Sequence, residues 1–189
     1  MSTFLNTAIC LATAALLVAC AAPAKNTTAF DSSSGKIQTL DIILEQPTFT
    51  PEGGALEALK SEGWSDGTLE RKFCAGVEER LKASGVTARC VRSEWGVHVP
   101  FSTPSPSSAS HVLSIRPLNM LYVMETRYGA VSKAGFNPML ETRSSIGSVN
   151  TGKNVWSADV SATFAPVDPT GARRYADSLV EALRSSGAL

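Results

Sequence analysis

Few side chains in this sequence could do covalent or acid–base chemistry. Four cysteines stand at 10, 20, 74 and 90, and two histidines at 98 and 111. A thiolate nucleophile or a metal centre needs such residues gathered at short spacing, with carboxylates close by. No Cys-x-x-Cys pair occurs. His98 and His111 flank a Pro/Ser-rich stretch, and Glu94 is the one carboxylate near them. Too few ligands accompany them for a metal, so both read as surface or strand-edge histidines. Gly53-Gly54, Gly147 and Gly152 read as turn glycines rather than phosphate cradles. No residue is read as catalytic, and no cofactor or metal site is expected.

The cysteines are more informative. Leu17-Val18-Ala19-Cys20 closes an apolar run, AICLATAALLVA, and residues 1–19 carry no charged side chain. That run has the length of a secretory h-region and is too short for a membrane-spanning helix, which needs roughly 20 apolar residues. The stretch resembles the lipobox of bacterial lipoproteins. The resemblance implies that residues 1–19 are a signal peptide and that the Cys20 thiol receives a diacylglycerol. It also implies that cleavage makes Cys20 the first mature residue. One departure is the missing Lys or Arg ahead of the apolar run, which leaves the N-terminal amine as the sole positive charge there. A single acyl chain holds marginally, at about 0.8 kcal/mol per buried methylene, whereas the two or three chains of a lipoprotein cysteine (palmitate and its like) hold durably. Ala21, rather than Asp, follows the cysteine. By the same resemblance this implies the outer membrane, with the domain facing the periplasm.

If Cys10 leaves with the leader and Cys20 is acylated, Cys74 and Cys90 remain as an even pair in an oxidising compartment. A disulfide between them closes a loop of about 15 residues, worth about 3 kcal/mol on the chain-entropy model. Two buried free thiols are the alternative. Lys plus Arg and Asp plus Glu both number 17, so no basic excess points to nucleic acid. The membrane is the expected partner through the lipid on Cys20, together with an envelope protein.

The elements follow from periodicity and punctuation. Residues 20–36 (CAAPAKNTTAFDSSSGK) read as the lipidated cysteine and a flexible tether, and 37–189 as one domain. Alternation predicts a strand over 37–45, with Leu40, Ile42 and Leu44 on one face and Asp41, Ile43 and Glu45 on the other. A short helical turn is expected over 53–60, and Trp64 reads as a packing residue at the domain edge. A helix follows over 67–84, capped by Asp66, striped by Phe73, Val77 and Leu81, and stopped by Gly85. A strand over 86–92 carries Cys90 toward that helix. Residues 100–110 read as a surface loop. Residues 111–127 read as one bent strand or two, broken near Pro117, and 128–137 as a turn region. Strands over 139–148 and 155–164 flank an Asn150–Asn154 hairpin turn. In the second of these, Trp156, Ala158, Val160, Ala162 and Phe164 face the core, while Ser157, Asp159, Ser161 and Thr163 face out. A last helix starts at Asp168-Pro169, carries Ala172, Tyr175, Ala176, Leu179 and Leu183, and ends before Gly187. A carboxylate pair of Asp159 with Asp41 or Glu45 would require adjacent strands.

Strands gathered between two helices predict an α+β two-layer sandwich. About five strands are expected in a mostly antiparallel sheet, with two helices on one face. With its strand–helix–strand opening and its Trp156-to-Leu183 strand–helix ending, the domain is loosely similar to small uncharacterised periplasm-facing lipoproteins. It is similar in the same loose way to the penicillin-binding-protein activator and curli-secretion lipoproteins. That likeness implies no functional residue beyond Cys20. The expected function is a non-enzymatic binding or assembly role in the cell envelope. The alternatives are an auxiliary subunit of an envelope transport or secretion complex, or a lipid-anchored hydrolase using His98 or His111.

Overall fold

The alternation at 154–163 is physically decisive, because a sheet that buries one face must place every second residue against the helices. In the computed structural model, strand β5 (Asn154–Thr163) buries Trp156, Ala158, Val160 and Ala162 and leaves Ser157, Asp159 and Ser161 half-exposed. The structure describes residues 23–61, 63–93, 95, 108–124, 136–163 and 171–189. The leader, Cys20, Glu94, His98, most of the Pro/Ser stretch, the turn at 128–135, Phe164, Asp168 and Pro169 lie outside the described residues.

The other strands are β1 (Thr39–Leu44), β2 (Thr87–Ser93), β3 (His111–Met124) and β4 (Phe136–Ser148). They form one open sheet in the order β2-β1-β3-β4-β5. The chain is thus an α+β protein with five strands. The pairing is mixed, with the longer ladders antiparallel. β1 runs parallel to both β2 and β3, while β3–β4 and β4–β5 are antiparallel. The parallel half arises because β1 and β2 are joined through helices α1 (Gly53–Ser61) and α2 (Thr68–Ala83), and β3 then enters on the far side of β1. β3 passes Pro117 as one strand. A register shift between Pro117 and Asn119 accommodates the residue without an N–H, and the Pro117 carbonyl accepts from the Thr48 amide at 3.0 Å. β4 begins at Phe136, three residues earlier than expected, and Gly147 lies within it rather than in a turn.

Helices α2 and α3 (Gly171–Ser185) cover one sheet face with Leu69, Phe73, Val77 and Leu81 from one and Tyr175, Ala176, Leu179 and Leu183 from the other. A Cβ at Gly76 would stand 3.3 Å from the Ala172 carbonyl oxygen, so the glycine lets the two helices meet closely. Both helices end in the same way. Gly85 and Gly187 take φ of 84° and 80°. The next amides, Val86 and Ala188, donate back to the Leu81 and Leu183 carbonyls at 3.0 and 2.9 Å, which is the Schellman arrangement. At the start of α2, Asp66 Oδ1 accepts from the Thr68 amide at 2.8 Å, with Gly67 between them at φ 73°. A disulfide joins Cys74 on α2 to Cys90 on β2, with Cα atoms 5.7 Å apart. Trp64 belongs to the core rather than to the domain edge, stacked on Trp95 with ring centroids 6.2 Å apart.

One expectation needs correction. The segment read as a free tether is docked from Lys25 to Asp31. Lys25 and Asp159 exchange two backbone hydrogen bonds of 2.8 Å, and the Thr28 and Asp31 amides donate to the Ser157 and Val155 carbonyls at 2.9 Å each. The Ser157 amide donates to Thr28 Oγ1 at 2.8 Å. This strap runs antiparallel to β5 and occupies its outer edge. Composition pointed to disorder. The unpaired backbone groups of an edge strand offered these polar residues a partner.

Candidate functional site on the outer sheet face

The helices leave the other sheet face uncovered among the described residues, and strand register decides what it displays. Odd positions on β5 and β4, even positions on β3 as far as Arg116 and odd positions on β1 all point outward. One row therefore crosses four strands as Glu45, Arg116, Arg143 and Asp159. Arg116 and Arg143 sit directly opposite one another. Like charges so placed repel, and each guanidinium is held from its far side by a carboxylate. Arg116 bonds Glu45 through Nε and Nη2. Arg143 grips Asp159 with Nε at 2.8 Å and Nη2 at 3.1 Å. Asn26 of the strap donates to Asp159 Oδ2 at 2.6 Å.

These contacts set the electrostatics. The Arg143 guanidinium, with help from Asn26, holds the Asp159 carboxyl below the usual carboxylate range. Asp159 in turn raises the Arg143 guanidinium. A third pair closes the opposite flank, where Arg89 Nε meets the buried Asp41 carboxylate at 2.8 Å and is itself raised by it. Both central arginine heads are more than half exposed, at 53% and 56%, so these pairs order the surface more than they stabilise the fold.

Between the charged flanks lies a shallow groove of about 290 Å³. Val112, Ser114, Ser145 and Gly147 form its floor, and Lys153 of the β4–β5 turn and Asn154 at the start of β5 form its rim. Small side chains make the floor low, and the hydroxyls and rim groups give it hydrogen-bonding capacity. The strand adjacency that a carboxylate pair would require is not present, because β3 and β4 separate Asp159 from Asp41 and Glu45.

His111 is not a surface histidine. It lies on the helix side of β3, in register with Leu40, 1% exposed. Ser110 Oγ stands 2.9 Å from its Nδ1 and Ser34 Oγ 3.5 Å from its Nε2. Burial lowers its pKa and favours the neutral ring. The inner face holds a second buried polar cluster, with the Tyr175 hydroxyl 2.7 Å from Ser144 Oγ and 3.2 Å from Thr142 Oγ1. Burial pushes the phenol up to about 12. The string Gly63-Trp64-Ser65-Asp66-Gly67 has the spacing of a nucleophile elbow. It joins α1 to α2, though, whereas that motif needs a strand before it. Ser33-Ser34-Gly35-Lys36 has Ser-x-x-Lys spacing, and its Ser33 hydroxyl donates to Asp31 at 2.6 Å in a short 3-10 turn. No group of three or more His, Cys, Asp or Glu able to hold a metal occurs among the described residues. Nor is any helix among them long and apolar enough to cross a membrane.

Arg116, Arg143 and Arg89 carry no motif in the sequence, and only the register assembles them with Asn26. Of the residues singled out beforehand, the disulfide pair is joined on the helix side and Asp159 stands in the outer row. Cys20 and His98 lie outside the described residues.

No protein-family model matches the chain. No curated protein matches it either. Among solved structures it is similar to the PelC dodecamer from Paraburkholderia phytofirmans, at 16% identity and TM-score 0.45, over 86% of this chain and 96% of that one. It is similar to the hypothetical protein CT253 from Chlamydia trachomatis at 10% identity and TM-score 0.41, over 80% and 97% of the two chains. A third likeness is to lipoprotein GNA1162 from Neisseria meningitidis, at 13% identity and TM-score 0.36, over 80% and 98%. At such values the likeness reaches no further than the general course of the backbone.

Proposed function

We propose that this protein is a cell-envelope lipoprotein, anchored in the outer membrane through Cys20 and facing the periplasm, whose domain binds an envelope protein without catalysing a reaction. The observation that carries the binding role is the uncovered outer sheet face. Its low serine and glycine floor lies between pre-ordered guanidinium–carboxylate pairs. A partner strand or loop laid on that floor meets hydroxyls at its centre and the outer N–H groups of Arg116 and Arg143 at its side. Charge-assisted bonds of that kind fix register and orientation. The anchoring half rests on Leu17-Val18-Ala19-Cys20 ahead of Ala21.

A photo-crosslinking residue at Lys153, on the groove rim, tests the binding role in intact cells. The expected result is one reproducible envelope adduct that Ser145→Arg abolishes while the fold is kept. Adducts that vary from preparation to preparation, or that survive Ser145→Arg unchanged, would dispose of the outer face as the binding surface. Anchoring is tested separately, since Cys20→Ser releases the protein from membranes on this reading.

A further inference from the structure

The strap fixes more than an edge, because it sets the side from which the anchor leaves the domain. Lys25 pairs antiparallel with Asp159, then Thr28 lies by Ser157 and Asp31 by Val155. Traced backward from Lys25, the chain therefore heads toward the Thr163 end of β5. Five residues separate Lys25 from Cys20 and span at most about 18 Å. Four residues separate Asp159 from Thr163, about 14 Å along the strand. Fully extended, the chain brings Cys20 barely past the level of Thr163. Any shortening pulls it back toward Asp159.

That end of the sheet carries a projection. The last pairing of β5 is Thr163 with Met139, and the last of β1 is Leu44 with Ile115. β3 and β4 continue past both, paired only with each other among the described strands, from Leu121–Met139 out to Met124–Phe136. The arm extends about 10 Å beyond Met139. Its sequences, Leu121-Tyr122-Val123-Met124 and Phe136-Asn137-Pro138-Met139, contain no charge and one polar side chain apart from the tyrosine hydroxyl. Leu121, at 37%, is one of two exposed large hydrophobic residues among those described.

We infer that this β3–β4 arm rests in the lipid surface that holds the anchor, as a second contact beside the acyl chains. The inference depends on the lipidation of Cys20. Given that, the lengths decide the matter. The anchor sulfur reaches about the level of Met139 at most, and the arm reaches past it. Among the described strands, β3 and β4 are therefore the ones that reach the bilayer surface receiving the acyl chains. An uncharged arm with a tyrosine suits the headgroup boundary, where buried apolar area adds to the anchor's hold.

The test uses mature lipidated protein in vesicles of phosphatidylethanolamine and phosphatidylglycerol, some carrying a quencher on the acyl chain. Leu121→Cys is labelled with a polarity-sensitive fluorophore, and Thr151→Cys, in the opposite β4–β5 turn, serves as control. With Cys20 acylated and Cys74 bridged to Cys90, the new thiol is the sole target. The expected result is a blue-shifted label at 121, quenched several-fold more than the label at 151. An aqueous label at 121 on vesicle-bound protein overturns this inference and leaves the anchoring intact. A dry label that the lipid quencher does not reach means a second copy or another protein covers the arm, which also overturns it. Protein that washes off the vesicles removes the anchoring and this inference together. If labelling Leu121→Cys lowers the melting temperature, Met139→Cys, its cross-strand partner, takes its place.

Discussion

Replacing Cys74 and Cys90 together by alanine should cost about 3–4 kcal/mol of stability. The bridge spans a sequence separation of 16. On the chain-entropy model a loop of that size removes about 10 cal/mol/K from the unfolded chain, hence about 3 kcal/mol at room temperature. Both cysteines pack partly buried against the core, so truncation to alanine adds a packing loss of the order of 1 kcal/mol. In a domain of this size each kcal/mol moves the melting temperature by about 2–4 °C, so the double variant should melt about 6–15 °C lower. The two single variants should each lose nearly as much as the double, since either one abolishes the shared bridge. Thermal unfolding of all four proteins, with and without reductant, provides the measurement. Reductant should lower the wild-type transition and leave the double variant where it is. A double variant within about 2 °C of wild type, or wild-type thiols that alkylate readily without reductant, would refute the reasoning.

Further predictions concern the buried and outer polar groups. Tyr175→Phe removes a partner of Ser144 inside the core and should cost about 1–3 kcal/mol. In Tyr175→Phe with Ser144→Ala the two losses should fall short of their sum by at least about 0.5 kcal/mol in a denaturant-melt cycle, so strict additivity would count against the hydrogen bond. The Asp159 carboxyl is lowered in the folded protein by Arg143 and then Asn26. Its contribution is therefore complete above the unfolded carboxylate range near pH 4 and is lost as pH falls through the folded value. Asp159→Asn should flatten the acid limb of the stability profile, and an unchanged limb would contradict the pairing. His111 is lowered by burial, so the unfolded chain binds its proton first. Stability should thus rise with pH from the folded value up to about 6.5, a slope that His111→Gln should remove in urea melts at stepped pH.

Period-two alternation identified Trp156, Ala158, Val160 and Ala162 as the core-facing residues of β5, because alternation is a direct consequence of the pleat. The helix stops at Gly85 and Gly187 were equally readable, since a left-handed cap selects glycine. Alternation says which way a side chain points and nothing about the direction of the neighbouring strand. The parallel placement of β1 between β2 and β3 was therefore hidden. Pro117 reads as a break in any strand, whereas a local register shift carried β3 through it. The strap was invisible for a different reason. Its hold on β5 comes from main-chain groups and from Thr28 and Asn26, not from any apolar pattern. The outer row draws on positions 45, 116, 143 and 159, which become neighbours only through register. Burial of His111 likewise follows from Phe30 and Ser34 folding back over the start of β3.

The strap also bears on when the protein can finish folding. Asn26 and Asp159 are 133 residues apart in the chain. In a chain that emerges from its N-terminus, the strap comes out with nothing to bind, and the strand that receives it follows near the end. Contacts between such distant residues form late and slowly. Until then β5 has a bare margin open to any passing extended peptide. Completion of the domain therefore waits on the whole polypeptide, and its earliest described residues are the ones that seal it.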